Sequence, residues 1–179
     1  MSKIYARIYP KNKHILDDQI LQKVCQLSWI EPQNIIKSKT NFDFDLVLPD
    51  INKYFKLIRT EKSPRKKLIN LDNIFSSINR LLIFSSGATK IGVDDQIPLL
   101  TYCFIKARPM MIYTNCKFMD LYIGEKKNKG EDNQLAQMTT ICDFIKGVSS
   151  KSFFNIEEEE FNKKCQIAFQ EYMENYLEE

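Results

Sequence analysis

The chain has 179 residues, 44% of them hydrophobic and 12% aromatic, which is enough for one sizeable core and suits a single globular unit over residues 1–179. Its 26 basic and 23 acidic residues leave a net charge of only +3, which argues against nucleic acid as a partner, and no apolar run approaches the ~20 residues of a membrane span. Five glycines and six prolines are few for a sandwich or barrel, and five scattered cysteines with one histidine exclude the common zinc patterns and suit reduced thiols in a soluble, cytoplasmic protein.

In chain order, the N-terminal MSKIYARIYPKNK lacks a signal-peptide apolar region. Ile15 to Leu27 then places Leu16, Ile20, Leu21, Val24 and Leu27 at helical spacing, predicting a helix that ends near Ser28-Trp29. Pro32 suits the first position of a short helix through Ile35 and Ile36. Asn41 to Leu48 alternates like a strand, yet no second run offers it a partner, so an extended or irregular lead-in is expected. A helix from Pro49 or Asp50 would carry Ile51, Tyr54, Phe55 and Ile58 on one face. Ser63-Pro64 is a helix start, a capping hydroxyl followed by proline, and the helix it opens holds Leu68, Leu71, Ile74, Phe75, Ile78, Leu81 and Leu82 in a stripe suited to the centre of the core. Arg65-Lys66-Lys67 reads as a solvated face of that helix, which Ser85-Ser86-Gly87 ends.

The stretch Val93 to Pro109, VDDQIPLLTYCFIKARP, organises the rest. Asp94 and Asp95 sit at a helix entrance, where free amide groups and the dipole favour carboxylates, and Pro98 is expected in the first turn. Leu99, Leu100, Cys103, Phe104 and Ala107 form its buried side. Thr114 is the expected cap of a following helix with Phe118, Met119, Leu121 and Tyr122. Gly124 to Asp132 reads as a charged, solvated loop, and a helix from about Asn133 to Ile145 turns Leu135, Met138, Ile141, Cys142 and Ile145 inward. A last helix occupies Asn155 to Leu177. The fold class is therefore all-α, a compact layered domain of about six to nine helices.

Little conventional chemistry is available to these residues. His14 lies in a polar loop with no Ser or Cys nucleophile motif, and neither a G-x-x-x-x-G-K-[ST] nor a G-x-G-x-x-G run occurs. No cofactor or metal is expected, and whether the chain acts as a catalyst is left open. From spacing alone, one of Asp94 and Asp95 caps the helix and the other is solvated.

Five ordered motifs add a resemblance: SWIEPQNI from Ser28, SPRKKL from Ser63, GVDDQIPLLTYCFIKARP from Gly92, TNCKFMDLYI from Thr114 and GEDNQLAQMTTICDFI from Gly130. Together, over roughly Ile4 to Phe161, the chain resembles the vacuolar protein sorting nine domain, the catalytic domain of exchange factors for early-endosomal GTPases of the Rab-five subfamily. The resemblance implies an all-helical fold, a role in vesicle trafficking at endosomal membranes reached through a partner or other domains, and a GTPase as partner. It makes Asp94 the finger that reaches the nucleotide site, Asp95 a cap or rim group, and Pro98 the residue that shapes the entrance. The opposite wall departs from the family. A tyrosine expected there is replaced by Asn133 when counted back from Phe144-Ile145, or by Gln134 when counted forward from Gly130, with Gln137 further along. The primary expectation is an active exchange domain. The alternative is a weak or inactive module that binds a GTPase or another partner as a scaffold, and a third is a purely structural helical domain.

Overall fold

Apolar residues at three- and four-residue spacing produce eight α-helices in the computed structural model, which describes residues 14–37, 40–87 and 92–177, and no strand occurs among them. They are α1 (Ile15–Gln26), α2 (Pro32–Ile35), α3 (Leu48–Thr60), α4 (Pro64–Ser86), α5 (Val93–Ala107), α6 (Ile112–Ile123), α7 (Lys129–Gly147) and α8 (Glu158–Leu177). The strand-like segment before α3 is irregular apart from a 3₁₀ turn at Phe44–Leu46, as its lack of a pairing partner requires. The loop between α4 and α5, residues 88–91, lies outside the described residues, as do residues 1–13.

Helix α4 forms the middle of the molecule, lying against α3, α5, α6 and α7. Ser63 caps it by accepting the Lys66 amide at 3.5 Å, Pro64 fills its first turn, and Gly87 ends it at φ +64°, a conformation that costs glycine nothing. Its predicted stripe from Leu68 to Leu82 is buried throughout. Helix α1 packs on α6, α7 and α8, and one apolar cluster runs from Ile20 on α1 to Cys165 on α8. All five cysteines are buried and free. Burial raises the Cys116 thiol to about 12, well out of the reactive range.

Three expectations are corrected by tertiary contacts. Thr114 does not cap α6, because that helix begins at Ile112 and the cap comes from α1. The buried Asp17 carboxylate accepts the Tyr113 amide at 2.9 Å, the Thr114 amide at 3.3 Å and the Thr114 hydroxyl. Helix α7 starts at Lys129, four residues before the expected Asn133, because Asn128 and Glu131 form a reciprocal capping box. Lys127 is accordingly drawn in rather than solvated, and it pairs with Asp120 and Asp132.

The third correction concerns Lys67, expected on a solvated face and found fully buried. Its ammonium donates to the Ile58 carbonyl near the end of α3 and to Asn115 Oδ1 on α6 at 2.7 Å, so it ties three helices together. Burial lowers its pKa from 10.5 to about 8. Between those two values the folded chain holds fewer protons than the unfolded chain, so this group makes stability rise with pH in that window and leaves it flat below about pH 8. Denaturant unfolding of the parent and of Lys67→Met should diverge by roughly 3 kcal/mol in the parent's favour from pH 7.5 to pH 10.5, counting ~1.4 kcal/mol per pK unit. A constant difference across that range would contradict the assignment.

Candidate functional site

The site is organised by a polar stripe of α4. Arg65, Asp72 and Asn79 recur every seven residues, two helical turns or about 10 Å apart, and face away from the apolar stripe. Each holds a different neighbour. Arg65 pairs with Glu131 at 2.8 Å, Asp72 Oδ1 accepts the Gln134 side-chain amide at 2.8 Å, and Asn79 Oδ1 accepts that of Gln96 at 2.5 Å. The first two fasten the start of α7 and the third fastens the start of α5. Both helix entrances are thus pinned to one scaffold helix, with the Gln96 and Gln134 anchor points about 10 Å apart along it.

At the α5 entrance, Gly92 is the N-cap and Asp94 and Asp95 occupy the first turn, both exposed. Neither forms an ion pair among the described residues, and both stand at the positive end of the helix dipole, which favours negative charge there. Gly92 has no side chain to cap the helix, and Asp95 stands three positions inside it with no cap hydrogen bond. Its Oδ2 lies 3.4 Å from where a Cβ on residue 92 would stand, so its carboxylate is folded back toward Gly92 while Asp94 is the freer of the two.

Pro98 lies deeper than expected. Since α5 begins at Val93, proline is its sixth residue and belongs to the second turn. It therefore removes a real intrahelical bond, the one its amide would have made to the Asp94 carbonyl. The missing bond falls on the residue that bears the exposed carboxylate, so the entrance turn is tied to the helix body less by backbone than by Gln96. Beyond Pro98 the helix is firmly set, with Leu99, Leu100, Cys103, Phe104 and Ile105 all buried and Arg108 closing it at φ +46° just before Pro109.

On the α7 wall, Asn133 is exposed, Gln134 is half-buried and tied to Asp72, and Gln137 is buried. The side-chain carbonyl oxygens of Gln134 and Gln137, one turn apart, are both buried without a hydrogen-bond partner among the described residues. Both oxygens are closed off from the surface, so neither is open to a donor from outside the chain as the wall stands. At the far end of the α4 face, one turn past Asn79, Ile83 and Phe84 are exposed, Phe84 at 89%. The structure therefore brings Asp94, Asp95 and Pro98 onto one entrance and Asn133, Gln134 and Gln137 onto one wall, both hung from α4. Sequence reasoning missed Gln96, Asn79 and Asp72. The signal for Asp72 and Asn79 was their seven-residue recurrence with Arg65 on α4, outside its apolar stripe, whereas Gln96 on α5 carries no such signal.

The described residues thus form an all-helical domain that presents an exposed carboxylate, Asp94, at the mouth of a helix pinned to α4. The chain belongs to the family described as the Vacuolar sorting protein 9 (VPS9) domain, whose profile matches residues 48–150, from the start of α3 to just past the end of α7. Domains of this family are in general exchange factors for Rab GTPases. It is similar to Vacuolar protein sorting-associated protein 9A of Arabidopsis thaliana, 29% identical over 94% of this chain and 33% of that protein. Vacuolar protein sorting-associated protein vps901 of Schizosaccharomyces pombe is 26% identical over 91% of this chain and 28% of its own length. The human GTPase-activating protein and VPS9 domain-containing protein 1 is 24% identical over 84% and 11%. The chain thus spans a third or less of the length of these relatives. No helix among the described residues is long and apolar enough to cross a membrane.

Proposed function

We propose that this domain promotes GDP release from a Rab GTPase of the Rab-five type at early endosomal membranes, as one unit over residues 1–179, with Asp94 as the displacing group. The observation that carries the reading is the exposed Asp94 carboxylate on a helix entrance that Gln96 pins to α4. A GTPase retains GDP through Mg²⁺ and the lysine of its phosphate loop. A carboxylate inserted there pairs with that lysine and competes with the metal's other ligands, which weakens both attachments at once. GTPase affinities for nucleotide reach ~1 pM, about 16 kcal/mol, so the exchange factor must also stabilise the emptied state with a broad contact. Asp95, Pro98 and the exposed Ile83 and Phe84 supply that contact. The deciding measurement is the release rate of a fluorescent GDP analogue from a panel of Rab GTPases, with acceleration expected for Rab-five-type members. No acceleration of any member would defeat the reading.

The absent aromatic ring on the α7 wall favours a second reading, a module that binds its GTPase without opening it. Aromatic side chains are frequent interface hot spots, and an amide replaces a hydroxyl bond but not the ring's apolar area. Retention of only the nucleotide-free GTPase in a pull-down would contradict that reading, because preference for the emptied state is what exchange requires. Of the two candidate positions for the ring, Asn133 is exposed and Gln134 is held by Asp72. Asn133→Tyr should therefore be tolerated by the fold and raise exchange efficiency on the order of tenfold, equivalent to ~1.4 kcal/mol of added contact. Gln134→Tyr should lower stability instead. An unchanged rate for Asn133→Tyr, with its fold intact, would count against Asn133 as part of the contact.

A further inference from the structure

The charge of this chain is not spread evenly. Residues 53–66, the exposed side of α3 and the corner into α4, carry +5, while the other 165 residues together carry −2. Lys53, Lys56, Arg59, Lys62, Arg65 and Lys66 are all exposed, and of the six only Arg65 forms an ion pair among the described residues. Glu61, the one acid in the segment, acts on the buried Lys67. The opposite face of α3 is apolar, with Ile51, Phe55 and Ile58 in the core, so the cations are held outward by the packing of the helix. Two exposed apolar side chains flank the edge. Leu46, 68% exposed, stands on the 3₁₀ turn that packs against α3, and Met110, 44% exposed, accepts a hydrogen bond from Arg59 through its sulfur at 3.0 Å.

We infer that this cationic edge docks the domain directly on an anionic lipid surface. Lys53, Lys56 and Arg59 on the outside of α3, Lys62 in the turn and Arg65 and Lys66 at the start of α4 are long side chains with exposed cationic ends, which suit a diffuse plane of negative headgroups better than a discrete acidic peptide that needs fixed donors. The flanking Leu46 and Met110 are placed to enter the headgroup region beside the lysines. The corner at Pro64 and the Gln96 anchor at Asn79 stand 15 residues of α4 apart, about 22 Å. The inference uses none of the Asp94 entrance residues, and of the α4 residues that hold the α7 wall it shares only Arg65, which none of its test variants changes.

The test is vesicle co-sedimentation with phosphatidylcholine vesicles against phosphatidylcholine containing phosphatidylserine. Binding is expected only to the anionic vesicles and should fade toward 1 M salt, where the screening length shrinks to about 3 Å. Each lysine is worth about fivefold in partitioning, so Lys53→Gln/Lys56→Gln/Lys62→Gln should weaken it about a hundredfold. A control, Lys126→Gln/Lys151→Gln/Lys163→Gln, removes three exposed lysines elsewhere and should leave most of the binding. Asp94→Ala should bind vesicles like the parent, whatever its effect on exchange. Equal binding to neutral and anionic vesicles, equal losses in the two triple variants, or tighter binding to polyglutamate or duplex DNA than to the vesicles at matched charge would each overturn the inference.

Discussion

Under the proposed exchange mechanism, Asp94→Ala should lower the rate of GDP release from the responsive Rab by about a hundredfold while leaving the fold intact. The magnitude follows from removing one charged group from a desolvated contact with a lysine, worth ~3 kcal/mol. Asp94 is exposed and makes no ion pair or side-chain hydrogen bond among the described residues, so its loss should not move the melting temperature, which separates this effect from damage to the domain. Asp94→Asn keeps the shape and loses the charge, and it should recover little. Asp95→Ala, which removes a carboxylate folded back on Gly92, should cost only a few-fold. Stopped-flow release of fluorescent GDP measures all three, and parental rates in Asp94→Ala would remove the finger from the mechanism.

The largest expected effect on stability belongs to a residue outside the site. Asp17→Ala removes the acceptor for two amides and a hydroxyl at the buried start of α6, leaving both amides without a partner and the Thr114 hydroxyl with only His14 Nδ1 at 3.3 Å. A lost cap costs ~1 kcal/mol, and each of the two amides left unmet adds ~1 at the low end of the usual range, so a total of about 3 kcal/mol is expected. For a chain of this size that lowers the midpoint of thermal unfolding by roughly 6–12 °C. Thr114→Val, which removes only the hydroxyl donor, should cost clearly less. Equal melting temperatures for Asp17→Ala and the parent would mean that α6 finds another cap.

Much of the fold was legible because each helix carries its own instructions. Ser63-Pro64 and Gly87 bound α4, and the stripe from Leu68 to Leu82 states which face is buried. The start of α7 was missed by four residues although Asn128 and Glu131 spell a capping box, because Lys126, Lys127 and Lys129 around them suggested a solvated loop. Pro98 was misplaced for a related reason. Proline marks a first turn only when nothing upstream starts the helix sooner, and here Gly92 does.

The sequence by itself determined the helices, their buried faces, the paired carboxylates of the α5 entrance and the family, since all of these are written in local spacing and motif order. Only the tertiary structure decided that Lys67 is a buried tie between helices, that Asp17 caps α6, and that the entrance and the wall hang from one polar stripe of α4. The reason is chain separation. Lys67 meets Asn115 across 48 positions, Gln134 meets Asp72 across 62 and Asp17 meets Thr114 across 97, and no local period reports which polar groups will meet once the core has closed.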